Sequence, residues 1–266
     1  MQLKRTITLA NGAQVDCYPA ESEQKIVIYF HGGGLIYGSK NDLPSGLKDT
    51  FLAKGYTVLA VDYLLAPNSS LPEILTALEE TFYLLKDSLI GNHRFGFCGR
   101  SAGGYLMLLL TKKLFAKQLS PDFLVNFYGY TDLSFIHEER KLLPLTIEKE
   151  QVAAIDLEAP VWDDPLLSRF LLYHYAVQQN LLKDFYGINA LEEFTISDSD
   201  LQQFPRTFSS CSTSDKEVPF SYSKKIGRTI PNSSFKPVYY LDHDFLKEID
   251  KPEVQKILQA LQDWLE

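Results

Sequence analysis

The sequence lacks the long apolar run that a membrane-spanning helix requires. No stretch of about 18 consecutive apolar residues occurs in the 266-residue chain. No long apolar segment follows the N-terminal residues Met1 to Thr6 either. We therefore expect neither a signal peptide nor a membrane anchor, and we expect a cytoplasmic location.

Positive charge is also scarce. The chain carries 26 Lys and Arg against 34 Asp and Glu, which gives a formal net charge of −8. A surface that binds nucleic acid or an anionic membrane needs clustered Lys and Arg, so we expect neither partner. The composition does not indicate an oligomeric state.

Cysteine is limited to three residues, Cys17, Cys98 and Cys211, without the spacing of a metal site. Cys98 and Cys211 lie in apolar, strand-like runs, which is typical of buried thiols. We expect no metal ion and no organic cofactor.

Glycine, by contrast, is concentrated in two motifs, His31-Gly32-Gly33-Gly34 and Gly99-Arg100-Ser101-Ala102-Gly103. Gly-x-Ser-x-Gly is typical of a nucleophile elbow, a tight turn between strand and helix that holds the serine oxygen clear of the backbone. The context fits, because an apolar run at 94–98 precedes it and helical spacing over 102–119 follows. A His-Gly-Gly-Gly run supplies backbone N–H groups that can face an oxyanion.

Strand-like and helix-like segments alternate along the chain, which predicts an α/β fold with a mostly parallel central sheet flanked by helices. Asn11-Gly12 predicts a hairpin between the first two strands. The predicted strands are 3–9, 14–18, 26–30, 56–61, 94–98, 123–127, 206–210 and 236–241, and the predicted helices are 43–54, 72–88, 102–119 and 252–265.

The stretch 131–203 interrupts this alternation, since it contains no convincing strand and a predicted helix from Pro165. We interpret residues 1–130 and 204–266 as the core of one domain and 131–203 as a helical cap inserted into it. Such an insertion would form a wall of the substrate pocket; the alternative is a helical decoration packed beside the sheet.

A serine nucleophile needs a base and an acid, which follow it in the order Ser, Asp or Glu, His in this kind of fold. His137 and His174 lie in the insertion, whereas His243 lies in a loop between the last strand and the last helix. We predict His243 as the base. Asp215, which follows the strand near 206–210, is the predicted acid, and Asp132 is the alternative from the preceding strand.

Five blocks together resemble hormone-sensitive-lipase-like carboxylesterases, which are α/β-hydrolases. They are the two glycine motifs above, Asp62-Tyr63-Leu64-Leu65-Ala66-Pro67, Asp215 to Phe220, and His243-Asp244-Phe245, in family order. The resemblance implies an oxyanion hole formed by the N–H groups of Gly33, Gly34 and Ala102. It also implies that His31 orients the glycine loop and is not a second base.

The chain departs from this family in two places. Only about thirty residues precede His31, where family members carry a long helical segment that forms part of the cap. Leu64 and Asn68 replace the usual Arg and Glu, so a local ion pair is lost. We expect an open pocket and a preference for short acyl chains.

The function expected from these residues is hydrolysis of small carboxylic esters by a Ser101–His243–Asp215 triad through an acyl-enzyme. Two alternatives stay open at this point. One is an amide-bond hydrolase, of the aryl-formamidase or peptidase type, because the same machinery serves both reactions. The other is a non-catalytic ligand-binding protein on a hydrolase scaffold.

Overall fold

The computed structural model describes residues 4–21 and 25–266 of the chain. In this part eight strands form one sheet: β1 Arg5–Thr8, β2 Gln14–Tyr18, β3 Lys25–Phe30, β4 Tyr56–Val61, β5 Arg94–Arg100, β6 Leu124–Phe127, β7 Thr207–Ser212 and β8 Ser234–Val238. Their order is β1-β2-β4-β3-β5-β6-β7-β8. β1 and β2 pair in antiparallel fashion, and β2 also runs antiparallel to β4, whereas the pairs from β4 to β8 are parallel.

Nine α-helices connect or follow the strands in the described residues. They are α1 Ser45–Ala53, α2 Leu71–Leu85, α3 Ala102–Phe115, α4 Lys149–Val152, α5 Phe170–Gln178, α6 Leu182–Phe185, α7 Asp198–Leu201, α8 Phe220–Thr229 and α9 Pro252–Trp264. None of them is long and apolar enough to cross a membrane.

The sheet is buried on both faces, and the side chains of each strand alternate between these two faces. In β3, Ile26, Ile28 and Phe30 join the core that includes α2 and α3. Val27 and Tyr29 join the core that includes α1 and α9 on the opposite side. The α/β architecture with a mostly parallel sheet, predicted from the alternation, is therefore confirmed, with two antiparallel strands added at one edge.

Several predicted boundaries were wrong by a few residues. A residue with a positive φ, in the left-handed region, cannot continue a helix or a strand. Gln118 (φ 58°) therefore lies beyond the end of α3, and Tyr240 (φ 61°) lies beyond the end of β8. The helix predicted to reach 88 ends at Leu85 and continues as one π-turn to Ile90. Of the strand predicted over 3–9, residue Leu3 lies outside the described residues.

The segment 131–203 contains α4 to α7 and adds no strand to the main sheet. Its helix starts at Phe170, not at Pro165, because the Asp164 carboxylate accepts hydrogen bonds from the backbone N–H groups of Ser168 and Arg169. Leu167, at φ 54°, also interrupts the helical backbone there. Leu166, the second residue of the helix predicted from Pro165, is 88% exposed.

Candidate active site

Ser101 lies between β5 and α3 in a strained backbone conformation, with φ 50° and ψ −121°. The two flanking glycines are required by close approach. A Cβ on Gly99 would lie 2.4 Å from the carbonyl oxygen of Gly103. A Cβ on Gly103 would lie 2.2 Å from the carbonyl oxygen of His31, at the end of β3. The geometry is that of a nucleophile elbow packed against the neighbouring strand.

The glycine loop follows β3 and meets the elbow directly. A Cβ on Gly32 would lie 3.5 Å from Cβ of Ser101. Gly33 and Gly34 have φ values of 106° and 59°, which lie in the left-handed region. Among the described residues, the N–H groups of Gly33, Gly34 and Ala102 donate to no protein acceptor. These three donors are available to an anion beside Ser101.

His31 is buried and contacts the backbone of the glycine loop. Its Nδ1 lies 2.7 Å from the carbonyl oxygen of Gly32, and its ring stacks on Tyr63 with 4.0 Å between centroids. Burial lowers the pKa of His31, which favours the neutral ring. Because a carbonyl oxygen can only accept, Nδ1–H donates to Gly32. The hydroxyl of Tyr63 donates to the carbonyl oxygens of His31 and Gly32 at 2.9 and 3.2 Å.

The structure brings Ser101, His243 and Asp215 into one chain of contacts. Nε2 of His243 lies 2.9 Å from Oγ of Ser101, and Nδ1 lies 2.6 Å from Oδ2 of Asp215. The other oxygen of Asp215 accepts from the backbone N–H groups of Glu217 and Val218, both at 2.9 Å. In this arrangement the imidazole can remove the serine proton while the carboxylate holds the ring.

Asp132, the alternative acid, is not brought to His243. Its Oδ1 accepts hydrogen bonds from the backbone N–H of Ser134 at 3.0 Å and from the hydroxyl of Tyr222 at 2.7 Å. Its Oδ2 lies 3.2 Å from Oγ1 of Thr131. Burial acts to raise the pKa of Asp132, but these hydrogen bonds outweigh it and lower the pKa.

The surroundings of His243 favour the protonated ring. Burial alone would lower its pKa, but the negative charges of Asp215, Glu217 and Asp244 outweigh burial and raise the pKa of His243 to about 9. The ring also packs against Tyr128, with 4.7 Å between centroids. Imidazolium, the form that appears when the serine proton is taken, is therefore well stabilised here.

Arg100 forms a charged network that motif analysis did not identify. Its fully buried guanidinium contacts Asp244, bonds to Asp42 at 2.6 Å, and donates to the hydroxyls of Tyr29 and Tyr128 at 2.6 and 3.1 Å. Burial would raise the pKa of Asp244, but Arg100 holds it well below its usual value. The only signal in the sequence was a cation at the variable position of the elbow.

The segment 131–203 is attached to the glycine loop through main-chain acceptors. Nε of the buried Arg169 donates to the carbonyl oxygen of Ile36 at 2.8 Å. The hydroxyl of Tyr186 donates to the carbonyl oxygen of Gly34 at 3.0 Å. The ring of Tyr173 lies so close that a Cβ on Gly34 would meet it at 2.2 Å. These contacts set the position of the loop from the side of the insertion.

Asn68, one of the two departures from the family pattern, makes a contact of its own. Its Oδ1 accepts from Nη2 of Arg169 at 2.6 Å, and its Nδ2 donates to the carbonyl oxygen of Ala159 at 2.7 Å. A charge-assisted hydrogen bond to the insertion is thus present where the family carries its glutamate.

A small cavity opens at Ser101 and His243, with about 430 Å³ of empty space that includes open solvent. Its wall is mostly polar and contains Tyr37, Leu167, Glu217 and the Arg100 network. Within residues 4–21 and 25–266, no group of three His, Cys, Asp or Glu side chains could hold a metal ion. All three cysteines are buried.

Comparison with known proteins agrees with this architecture. A family model described as α/β-hydrolase fold matches residues 27–215. A crystal structure of an α/β-hydrolase superfamily protein from Enterococcus faecalis is 58% identical, with a TM-score of 0.98, and the match covers 100% of this chain and 99% of that one.

Curated relatives match over shorter stretches. An esterase of Acinetobacter venetianus is 27% identical over 156 residues, which cover 58% of this chain and 50% of the relative. The hormone-sensitive lipase of Bos taurus is 30% identical over 134 residues, which cover 47% of this chain and 17% of the relative. The matched part of the chain thus spans half or less of these two relatives.

Replacement of the two candidate acids should separate their roles. Asp215→Asn keeps the shape of the side chain but removes the charge that holds and stabilises the His243 ring. We expect kcat for ester hydrolysis to fall about 10⁴-fold. Asp132→Asn, the matched control, should cost far less because its hydrogen bonds lie elsewhere. Steady-state kinetics of both variants would contradict the assignment if their order were reversed.

Proposed function

The chain belongs to the α/β-hydrolase fold family, as its motifs predict, and on that premise we propose that it is a carboxylesterase-type serine hydrolase that cleaves small carboxylic esters. The proposal rests on two contacts of His243. Its Nε2 lies 2.9 Å from Oγ of Ser101, and its Nδ1 lies 2.6 Å from Oδ2 of Asp215. A ligand-binding protein without activity would not need a complete base and acid on its serine. The relatives named esterase and lipase support the same reaction class.

In the proposed reaction, Oγ of Ser101 attacks the ester carbonyl while Nε2 of His243 takes its proton. The carbonyl oxygen becomes an oxyanion, which accepts hydrogen bonds from the N–H groups of Gly33, Gly34 and Ala102. The intermediate collapses, His243 returns the proton to the leaving alcohol, and an acyl-enzyme remains.

Water then repeats the sequence on the acyl-enzyme. His243 removes a proton from the water, the hydroxide adds to the acyl carbon, and Ser101 leaves with the proton that His243 returns. The products are a carboxylic acid and an alcohol, and the enzyme is unchanged. Asp215 keeps Nδ1 of His243 protonated throughout, which leaves Nε2 free to act as the base.

We further propose that 131–203 is the cap that walls the substrate pocket of a single domain. Support comes from Leu167, which lines the cavity at Ser101, and from Arg169 and Tyr186, which bind the glycine loop. A pocket with so many charged groups in its wall is poorly suited to a long acyl chain, which needs an apolar tunnel.

Removal of the nucleophile tests the proposed function most directly. Ser101→Ala should lower kcat for a p-nitrophenyl ester by about 10⁴- to 10⁶-fold while the protein stays folded. A fluorophosphonate probe should label the unaltered protein and not the variant. Circular dichroism of both proteins is the control for folding. Activity close to the original in a clean preparation of the variant would refute the proposal.

The pH dependence of the reaction should follow the deprotonation of His243. Only the neutral imidazole can accept the serine proton, and the carboxylates around it raise its pKa to about 9. The value of kcat/KM should therefore rise with pH and level off only above the pKa. A profile measured from about pH 6 to about pH 10 on a neutral ester checks this. A plateau already reached at neutral pH would contradict it.

The acyl series should show a maximum at short chains. We expect the highest kcat/KM between acetyl and about hexanoyl esters, because the cavity is small and polar. The measurement is kcat/KM for p-nitrophenyl esters of increasing chain length at one pH. A maximum at dodecanoyl or longer, or strong activation at an oil–water interface, would show that the pocket is shaped differently.

A further inference from the structure

Charged side chains line the cavity at the candidate nucleophile, and most of them are already paired with one another. The Arg100 network, together with Lys247, contributes two carboxylates, Asp42 and Asp244, and two cations, Arg100 and Lys247. Arg100 binds both carboxylates, and Nζ of Lys247 lies 2.7 Å from Oδ2 of Asp244. The four charges sum to zero, so this part of the wall offers no net charge to a ligand.

Glu217 stands outside this network, and the charged group of the wall that it influences is His243, whose protonated ring it favours. Its carboxylate has no hydrogen-bond or ion-pair partner among the residues that the structure describes. Arg140 donates from Nη1 to the main-chain carbonyl oxygen of Glu217 at 3.0 Å and makes no ion pair with its carboxylate. A desolvated carboxylate without a partner is costly, and a ligand that supplies one is stabilised by it.

The backbone of Glu217 is held firmly in place. Its N–H donates to Oδ1 of Asp215 at 2.9 Å, so the same carboxylate that orients His243 also positions Glu217. The Arg140 contact fixes the carbonyl on the other side. The backbone of Glu217 is therefore preorganised, so that the side chain starts from a fixed place relative to Ser101 and His243.

The environment of the carboxylate favours a positively charged neighbour. Burial raises the pKa of Glu217, and the negative charges of Asp215 and Asp244 raise it further against the opposing effects of His243 and Arg140. A cation seated there would reverse this penalty. Tyr37 lines the same cavity, and an aromatic ring beside a carboxylate is a second group that attracts cations.

We infer that Glu217 is a specificity-determining residue, which binds a positively charged group, such as a substituted ammonium, that the ester carries close to its scissile bond. The inference rests on the proposed hydrolase function and names the substrate class of the same site. The chemistry allows the cation on either the acyl or the alcohol side, so the test includes one substrate pair for each.

The test compares esters of equal shape that differ only in charge. For the alcohol side the pair is acetylthiocholine and 3,3-dimethylbutyl thioacetate. For the acyl side the pair is the p-nitrophenyl esters of 4-(trimethylammonio)butyrate and 5,5-dimethylhexanoate. We expect kcat/KM to favour the cationic member of at least one pair by about tenfold. Glu217→Gln should abolish most of that preference, and Glu217→Asp should retain part of it.

The ratio within a pair is the decisive quantity, because an effect of Glu217→Gln on His243 changes both members alike. Glu138→Gln, on an exposed carboxylate of the insertion, is the matched control and should leave the ratio unchanged. If Glu217→Gln does not fold, the unaltered protein can be inhibited with tetramethylammonium and with neutral tert-butanol during hydrolysis of a neutral ester. Only the cation should then compete.

Equal kcat/KM for both members of both pairs, or a ratio that Glu217→Gln does not change, would overturn the inference. Equal inhibition by tetramethylammonium and tert-butanol would do the same. Failure of the hydrolase proposal gives a different result, since no ester of either charge would then be cleaved and Ser101 would not react with a fluorophosphonate.

Discussion

The positive charge of Arg100 is buried beside Ser101, and ion pairs and hydrogen bonds from the surrounding groups compensate it. Asp42 reaches it from the stretch that follows the glycine loop, and Asp244 from the loop that carries His243. Loss of either carboxylate would leave the buried charge of Arg100 less well compensated, so these two loops and the end of β5 are held in one relative position. The alignment of Ser101 with His243 depends on this constraint, because Asp244 adjoins His243 in the chain.

The parts of the site that follow from local rules could be predicted from sequence. Glycines that permit close approach, a serine in a turn between strand and helix, and a histidine after the last strand all have short-range signatures. The structure brings Ser101, Asp215 and His243 together accordingly. The alternation of strands and helices was likewise enough to predict the sheet and the helices that cover its two faces.

Features that depend on tertiary contacts could not be predicted from the sequence in the same way. Leu166 has helical spacing with its neighbours, yet the Asp164 carboxylate turns the chain and leaves Leu166 exposed. The role of Asp244 as a partner of Arg100 could not be predicted, since nothing in the local sequence shows that the distant Arg100 is buried and needs a carboxylate. Charge networks and side-chain caps form between distant segments, where sequence periodicity carries no information.

The segment 131–203 holds the chain at Gly34 and Ile36 by their carbonyl oxygens, through Tyr186 and Arg169. The N–H groups of Gly33 and Gly34 have no protein acceptor among the described residues. One short stretch of backbone therefore serves two neighbours with its two kinds of polar group. A movement that pulled the insertion away would break bonds to the peptide groups that follow these two donors in the chain. The position of the insertion and the conformation of the glycine loop are therefore coupled through two hydrogen bonds.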